Sequence, residues 1–195
     1  MKNPKEVYIV GGPNGAGKTT FVRQFLPFYV NVRNFVNADD IAQGLSPFSA
    51  ESMNIKSGKL MLNLIEEYKG KGMSFGFETT LAGRKWIAMI GELKIKGYAV
   101  YIFFLDLPSV ELSVSRIRYR VEAGGHSIPE DTIRRRYGRA RINFWNIYKD
   151  KADEWHLFDN SGKIPKIVAD SLKGKLTVTD QKYFNFFVNS IRKDR

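Results

Sequence analysis

A chain of 195 residues with 43% apolar and 26% charged side chains is sized and balanced for one globular domain, which excludes global disorder. With no cysteine it cannot build a disulfide framework, a thiolate metal site or a cysteine nucleophile, and two histidines are too few for a histidine-rich metal cage. A net charge of +11 favours a polyanionic ligand or partner.

Met1 to Glu6 is not followed by an apolar leader, and the longest apolar run, Ala99 to Leu105, is far short of the about 20 residues that span a bilayer. The reading is a soluble, cytoplasmic protein. Val7 to Val10 is a short β-branched run ending at glycines and predicts a strand. A helix is predicted from Lys18 to about Leu26, stopped by Pro27. Val32 to Val36 predicts a second strand. Ala50 to Tyr68 predicts a helix closed by Gly70 and Gly72, and Met73 to Phe77 a third strand. Arg84 to Lys96 predicts a helix closed by Gly97, and Tyr98 to Leu105 is the clearest buried strand. Pro108 is expected to open the next helix and Gly124-Gly125 to break it. Pro129-Glu130-Asp131 opens another, running to about Tyr148, and Glu154 to Phe158 predicts a last strand. Asp180 to Ile191 is helix-compatible, with Phe184, Phe187, Val188 and Ile191 on one face; the aromatic group Tyr183, Phe184, Phe186 and Phe187 reads as packing. No repeat or linker divides the chain, so residues 1–195 are expected to form one domain. Short apolar strands alternating with helices specify an α/β fold, a parallel sheet covered on both faces, with ligands beyond the strands' carboxyl ends.

Gly12-Pro13-Asn14-Gly15-Ala16-Gly17-Lys18-Thr19 fits G-x-x-x-x-G-K-[ST] between a predicted strand and a predicted helix. Glycines allow backbone N–H groups to turn inward around phosphate oxygens. Lys18 can reach the β- and γ-phosphates, and the Thr19 hydroxyl, beside Thr20, can hold Mg²⁺. Asp39 follows the second strand and is suited to accept a proton from an acceptor hydroxyl, with Asp40 expected as a helix cap. Glu78 leaves the third strand at the same edge, suited to a Mg²⁺ water or to the acceptor. Asp106 resembles an apolar-run-plus-acid magnesium motif, but with Pro108 close behind a helix-start role is preferred. Ser113 to Lys149 holds nine basic residues against three acidic, a net +6. Arg116 and Arg120 share one helix face, and Arg134, Arg135 and Arg136 follow the Gly-Gly hinge. Two arginine-rich helices joined by a hinge read as a lid, about 113–149, that closes to exclude water. His126 beside the hinge could touch phosphate or simply shape a turn, His156 reads as a core or edge residue, and Asp159 to Gly162 is either near the base or a plain turn.

On these motifs, together with Glu78-Thr79-Thr80-Leu81-Ala82-Gly83-Arg84 and Arg135-Arg136-Tyr137, the chain resembles the zeta-toxin-like kinases of the phosphate-loop superfamily from about Val7 to Asn160. The resemblance implies ATP and Mg²⁺, a nucleotide-kinase sheet, and Asp39 as base on a sugar hydroxyl. It also implies, for the characterised toxins, phosphorylation of UDP-N-acetylglucosamine and pairing with an antitoxin. The chain departs from those toxins where they carry a sugar-binding glutamate, since Lys56 to Leu62 has no acid. Their second lid arginine falls near His126, leaving Arg135 or Arg136 to replace it. The expected function is transfer of the ATP γ-phosphate to a small nucleotide-like or sugar acceptor. The expected catalytic set is Asp39, Lys18, Arg120, Arg116, Arg135 and Glu78. A polynucleotide 5′-hydroxyl kinase and a non-catalytic ATP-gated binding protein are the alternatives.

Overall fold

The computed structural model describes residues 5–46, 50–125 and 127–193, so His126 lies outside the described residues. Seven strands form one sheet in the order β2-β3-β1-β4-β5-β6-β7. β1 (Lys5–Gly11) is central, between β3 (Phe75–Thr79) and β4 (Tyr98–Asp106); β2 (Phe35–Val36) and β5 (Glu154–Asp159) extend the parallel part on either side. β6 (Lys166–Leu172) and β7 (Lys175–Val178) add an antiparallel edge that the sequence reading did not resolve. Their connection is the two-residue turn Lys173-Gly174, with φ of 52° and 79°. Two left-handed residues in succession match the twist of a tight hairpin.

Alternation along β1 assigns the two faces. Val7 and Ile9 enter a core with Met61 and Ile65 of α3 (Asn54–Lys71), Trp86 and Ile90 of α4 (Trp86–Ile95), and Phe187 and Ile191 of the C-terminal helix. Tyr8 and Val10 point the other way, to Phe21 of α1 (Lys18–Gln24) and to Leu26. Each large side chain so buried contributes about 1.5–3 kcal/mol.

Several boundaries differ from the sequence reading for local reasons. α1 ends at Gln24 before Pro27, which sits inside a 3₁₀ turn over Leu26–Phe28. The second strand is only Phe35–Val36. The helix whose start the Asp39-Asp40 pair implied, α2 (Ala38–Leu45), follows at once. Its cap is Asn37, whose side chain accepts from the Asp39 N–H, and not Asp40, which instead pairs with Arg23 at 2.9 Å. α3 runs through Gly70 and closes at Gly72, where φ is 65°. α5 (Val110–Glu122) is capped by Ser109, which accepts from the Leu112 N–H, so Pro108 lies outside the helix. α6 (Glu130–Asn143) passes into one π-helical turn over Phe144–Tyr148. α7 (Gln181–Lys193) packs its Phe187 and Ile191 on the sheet, as its pattern implied.

Candidate active site

The phosphate loop leaves β1 between β3 and β4. Gly12 has φ 144°, and a Cβ there would lie 2.3 Å from the Leu105 carbonyl oxygen; a Cβ on Gly17, φ 78°, would meet Asn160 Nδ2 at 2.8 Å. Only glycine lets the loop nest against β4 and β5 in this way. Gly12, Pro13 and Ala16 are buried behind the loop, the Ala16 methyl in the core, so these positions can offer only backbone. Asn14, Gly15, Gly17, Lys18, Thr19 and Thr20 line a cleft of about 200 Å³ that Arg116 and Arg120 of α5 close from the side.

The loop is braced from outside. Ser113 donates its hydroxyl to the Asn14 carbonyl, and Asn160 Nδ2 donates to the Ala16 carbonyl at 2.6 Å. Arg116 donates to the Asn160 and Ser161 carbonyls at 2.8 and 2.7 Å, fixing the segment after β5. That segment, readable from sequence as either a turn or a base contact, is a brace of the loop.

Lys18 lies across its own loop, donating from Nζ to the Gly12 and Pro13 carbonyls at 3.1 and 3.0 Å. Burial holds its pKa below the usual lysine value; the Glu78 and Asp39 carboxylates oppose that shift, and Arg120 and Arg136 add to it. Thr19 donates its hydroxyl to Glu78 at 3.1–3.2 Å, and Asn37 Nδ2 donates to the Thr19 hydroxyl oxygen at 3.4 Å. Burial raises the Glu78 carboxyl above its usual range; Lys18 and the Thr19 bond lower it, and Asp39 and Asp40 push it further up. The hydroxyl of Thr19 and the carboxylate of Glu78 are hard oxygen donors at one point, the set that suits Mg²⁺, so this corner fits such an ion. Among the described residues no group of three or more His, Asp or Glu forms a metal cluster.

A second, larger chamber of about 790 Å³ opens beyond the loop. Lys85 lines it together with Arg135, Arg136 and Arg139 of α6. Asn14, Lys18, Asp39 and Glu78 line both cavities and so form their junction. Of the catalytic residues expected from sequence, Arg116 and Arg120 face the cleft, Arg135 faces the chamber, and Asp39, Lys18 and Glu78 stand between them. Arg134 and Arg118 turn to the outer surface, where both pair with Glu130, and Arg134 also with Glu111. Lys85, Arg139 and Asn37 were not among the expected site residues. The four-residue step from Arg135 to Arg139 was the available signal for one of them.

Asp106 corrects the sequence reading. It is the last residue of β4, completely buried, and it starts no helix. Arg141 Nε donates to its Oδ1 at 2.9 Å, and the Tyr183 hydroxyl donates to Oδ2 at 3.1 Å. The guanidinium is packed among the rings of Tyr137, Phe186 and Phe187. Burial pushes the Asp106 carboxyl up to about 6, with Arg141 and the Tyr183 bond opposing. Asp106 joins β4, α6 and α7 and faces neither cavity. His156 is half-buried, stacked on Phe103 at 4.8 Å, away from both cavities.

The family model described as zeta toxin matches residues 2–165. An uncharacterized protein of Haemophilus influenzae is 31% identical over 126 residues, 65% of this chain and 88% of its own. Among solved structures, the AvrRxo1-ORF1:AvrRxo1-ORF2 complex with sulphate ions superposes with a TM-score of 0.75 at 17% identity, over 93% of this chain; the same pair has been solved with ATP at a TM-score of 0.73. This chain spans 63% of that protein's length. The PezAT toxin-antitoxin system of Streptococcus pneumoniae gives a TM-score of 0.65 at 18% identity, over 99% of this chain and 86% of that one. At such identities the likeness of the structures is one of fold.

Proposed function

This chain belongs to the zeta-toxin family, and from that premise we propose that it is an ATP-dependent kinase with a small phosphorylated, nucleotide-like or sugar alcohol as acceptor. The supporting observation is the junction: Asp39 lines both the phosphate-loop cleft and the chamber of about 790 Å³. A base for this reaction must reach the acceptor hydroxyl at the place where that hydroxyl meets the donor γ-phosphate.

In this reading ATP lies along the loop, and its phosphate oxygens take Lys18 Nζ from the Gly12 and Pro13 carbonyls. Arg120 flanks the transferring group from the cleft side, while Arg116, expected there too, lines the same cleft with its guanidinium held by the Asn160 and Ser161 carbonyls. The acceptor enters the chamber, where Lys85, Arg135, Arg136 and Arg139 favour a molecule carrying its own anionic group. Asp39 accepts the hydroxyl proton as the acceptor oxygen bonds to the γ-phosphorus; the bond to the β-γ bridging oxygen breaks and ADP leaves. Mg²⁺, held by Thr19 with Glu78 close by, would neutralise phosphate charge. The arginine-bearing stretch of residues 113–149 ahead of Ala140 acts as the closing lid of a single domain, since Ala140, Arg141, Phe144 and Tyr148 are buried in its core. An antitoxin partner belongs to the same proposal, since the PezAT structure is of a toxin-antitoxin system.

The test is incubation with Mg²⁺ and γ-labelled ATP against UDP-sugars, other nucleotides, small sugars and single-stranded oligonucleotides, with Lys18→Ala as control. Label on a small acceptor is the expected outcome. Label on an oligonucleotide, with affinity falling steeply in salt, would instead support the polynucleotide kinase. ATP binding without transfer to any acceptor would support the gated binding protein.

A further inference from the structure

The loop after β3, Thr79 to Arg84, forms one wall of the acceptor chamber through Thr79, Thr80, Ala82 and Gly83. Its backbone is not relaxed. Leu81 has φ 55°, a left-handed conformation that a branched side chain adopts only under constraint, and its side chain is fully buried. Inside the loop, the Thr79 hydroxyl accepts from the Trp86 indole at 2.8 Å.

The constraint comes from the far end of α6. Asn143, itself buried, donates from Nδ2 to both the Leu81 and the Ala82 carbonyls at 3.0 Å. Five residues on, the Tyr148 hydroxyl donates to the Gly83 carbonyl. The π-helical turn over Phe144–Tyr148 begins directly after Asn143 and ends on Tyr148 itself. Such turns are rare and occur often at functional sites. Three consecutive carbonyls of the loop are thus held by two side chains of one helical segment. Arg135, Arg139 and Asn143 are spaced four apart, so the helix face that presents guanidinium groups to the chamber ends in the amide that grips the opposite wall.

We propose that Asn143, seconded by Tyr148, is a positioning residue for the acceptor: it fixes the Thr79–Arg84 wall relative to the arginine face of α6 and so sets the width of the acceptor chamber. The inference rests on the kinase reading.

The experiment compares wild type, Asn143→Asp and Tyr148→Phe. Asn143→Asp keeps the volume and turns an oxygen toward two carbonyl oxygens. KM and kcat are measured with UDP-N-acetylglucosamine, or with whichever panel acceptor takes label; ATP affinity is measured separately, and amide hydrogen exchange is followed over residues 79–84. Expected for Asn143→Asp are an acceptor KM raised about tenfold or more, ATP affinity within about twofold of wild type, and faster exchange in the loop; Tyr148→Phe shows the same pattern to a smaller extent. A merely structural role would lower ATP and acceptor affinity together, and that outcome overturns the proposal. So does a folded Asn143→Asp protein with unchanged acceptor KM and unchanged exchange. If Asn143→Asp does not fold, Tyr148→Phe carries the same readouts. If wild type transfers nothing, the kinase reading fails, and hydrogen exchange alone upholds or overturns the strap.

Discussion

Replacing Arg141 by Met removes one partner of a completely buried ion pair while leaving a stem of similar length among Tyr137, Phe186 and Phe187. Breaking such a pair from one side costs about 3–5 kcal/mol. For a chain of this size each kcal/mol lowers Tm by about 2–4 °C, so the loss is roughly 6–20 °C at pH 8. The pH dependence is the sharper test. The Asp106 carboxyl is pushed up to about 6 in the folded protein even with Arg141 beside it, against about 3.9 in an unfolded chain. A raised folded pKa means that the native state holds a proton which the unfolded state has lost. That contribution to stability is present at low pH and disappears as pH rises through the folded value. Without Arg141 the folded value moves higher still, because the largest opposing influence is gone. The variant therefore escapes its penalty at pH 5.5 by keeping Asp106 protonated, and pays it at pH 8. Each further unit of elevation widens the gap by about 1.4 kcal/mol. Thermal and urea unfolding of both proteins at the two pH values measures this directly. A Tm at pH 8 within 2–3 °C of wild type, about 1 kcal/mol or less, or a deficit larger at pH 5.5 than at pH 8, would refute the assignment of Asp106 as a structural carboxylate.

Gly12→Ala places a methyl 2.3 Å from the Leu105 carbonyl at a backbone conformation that alanine resists. With strain of about 1–3 kcal/mol, ATP affinity should fall about tenfold or more by titration calorimetry. Lys18→Ala should abolish label transfer from ATP while the fold, followed by circular dichroism, is kept. Glu78 is protonated more readily than a free carboxyl, so rising pH ionises it and should strengthen binding of Mg²⁺ with ATP. Glu78→Gln should flatten that pH dependence, which titrations running from the ordinary carboxylate range up past neutrality can compare.

The parallel half of the fold was legible because its strands are short apolar runs and α3, α4 and α5 stop at or just before glycines. The antiparallel edge was not. The Lys173-Gly174 turn lacks the Asn-Gly or Asp-Gly signature of a tight hairpin, and β7 is exposed along most of its length, which leaves little apolar pattern. At the site, the loop motif gave the backbone cradle, and the positions of Asp39 just past β2 and of Glu78 near the end of β3 were legible as strand ends. Their neighbours were harder. The cap at Asn37 competes with the two aspartates that follow it, all three being good caps, and only the backbone geometry decides. Asp106 looked like a ligand or a helix start because its partners Arg141 and Tyr183 lie 35 and 77 residues away in sequence. The basic stretch predicted an anion but not which arginines would face it: Glu111 and Glu130 draw Arg134 and Arg118 outward.

The most direct test of the kinase reading is the initial rate of γ-phosphate transfer by Asp39→Asn beside its affinity for ATP. With Asp39 as the base at the junction of the two cavities, the rate falls about 10²–10⁴-fold while the ATP dissociation constant stays within about twofold of wild type. An Asp39→Asn protein that transfers phosphate at the wild-type rate would contradict it.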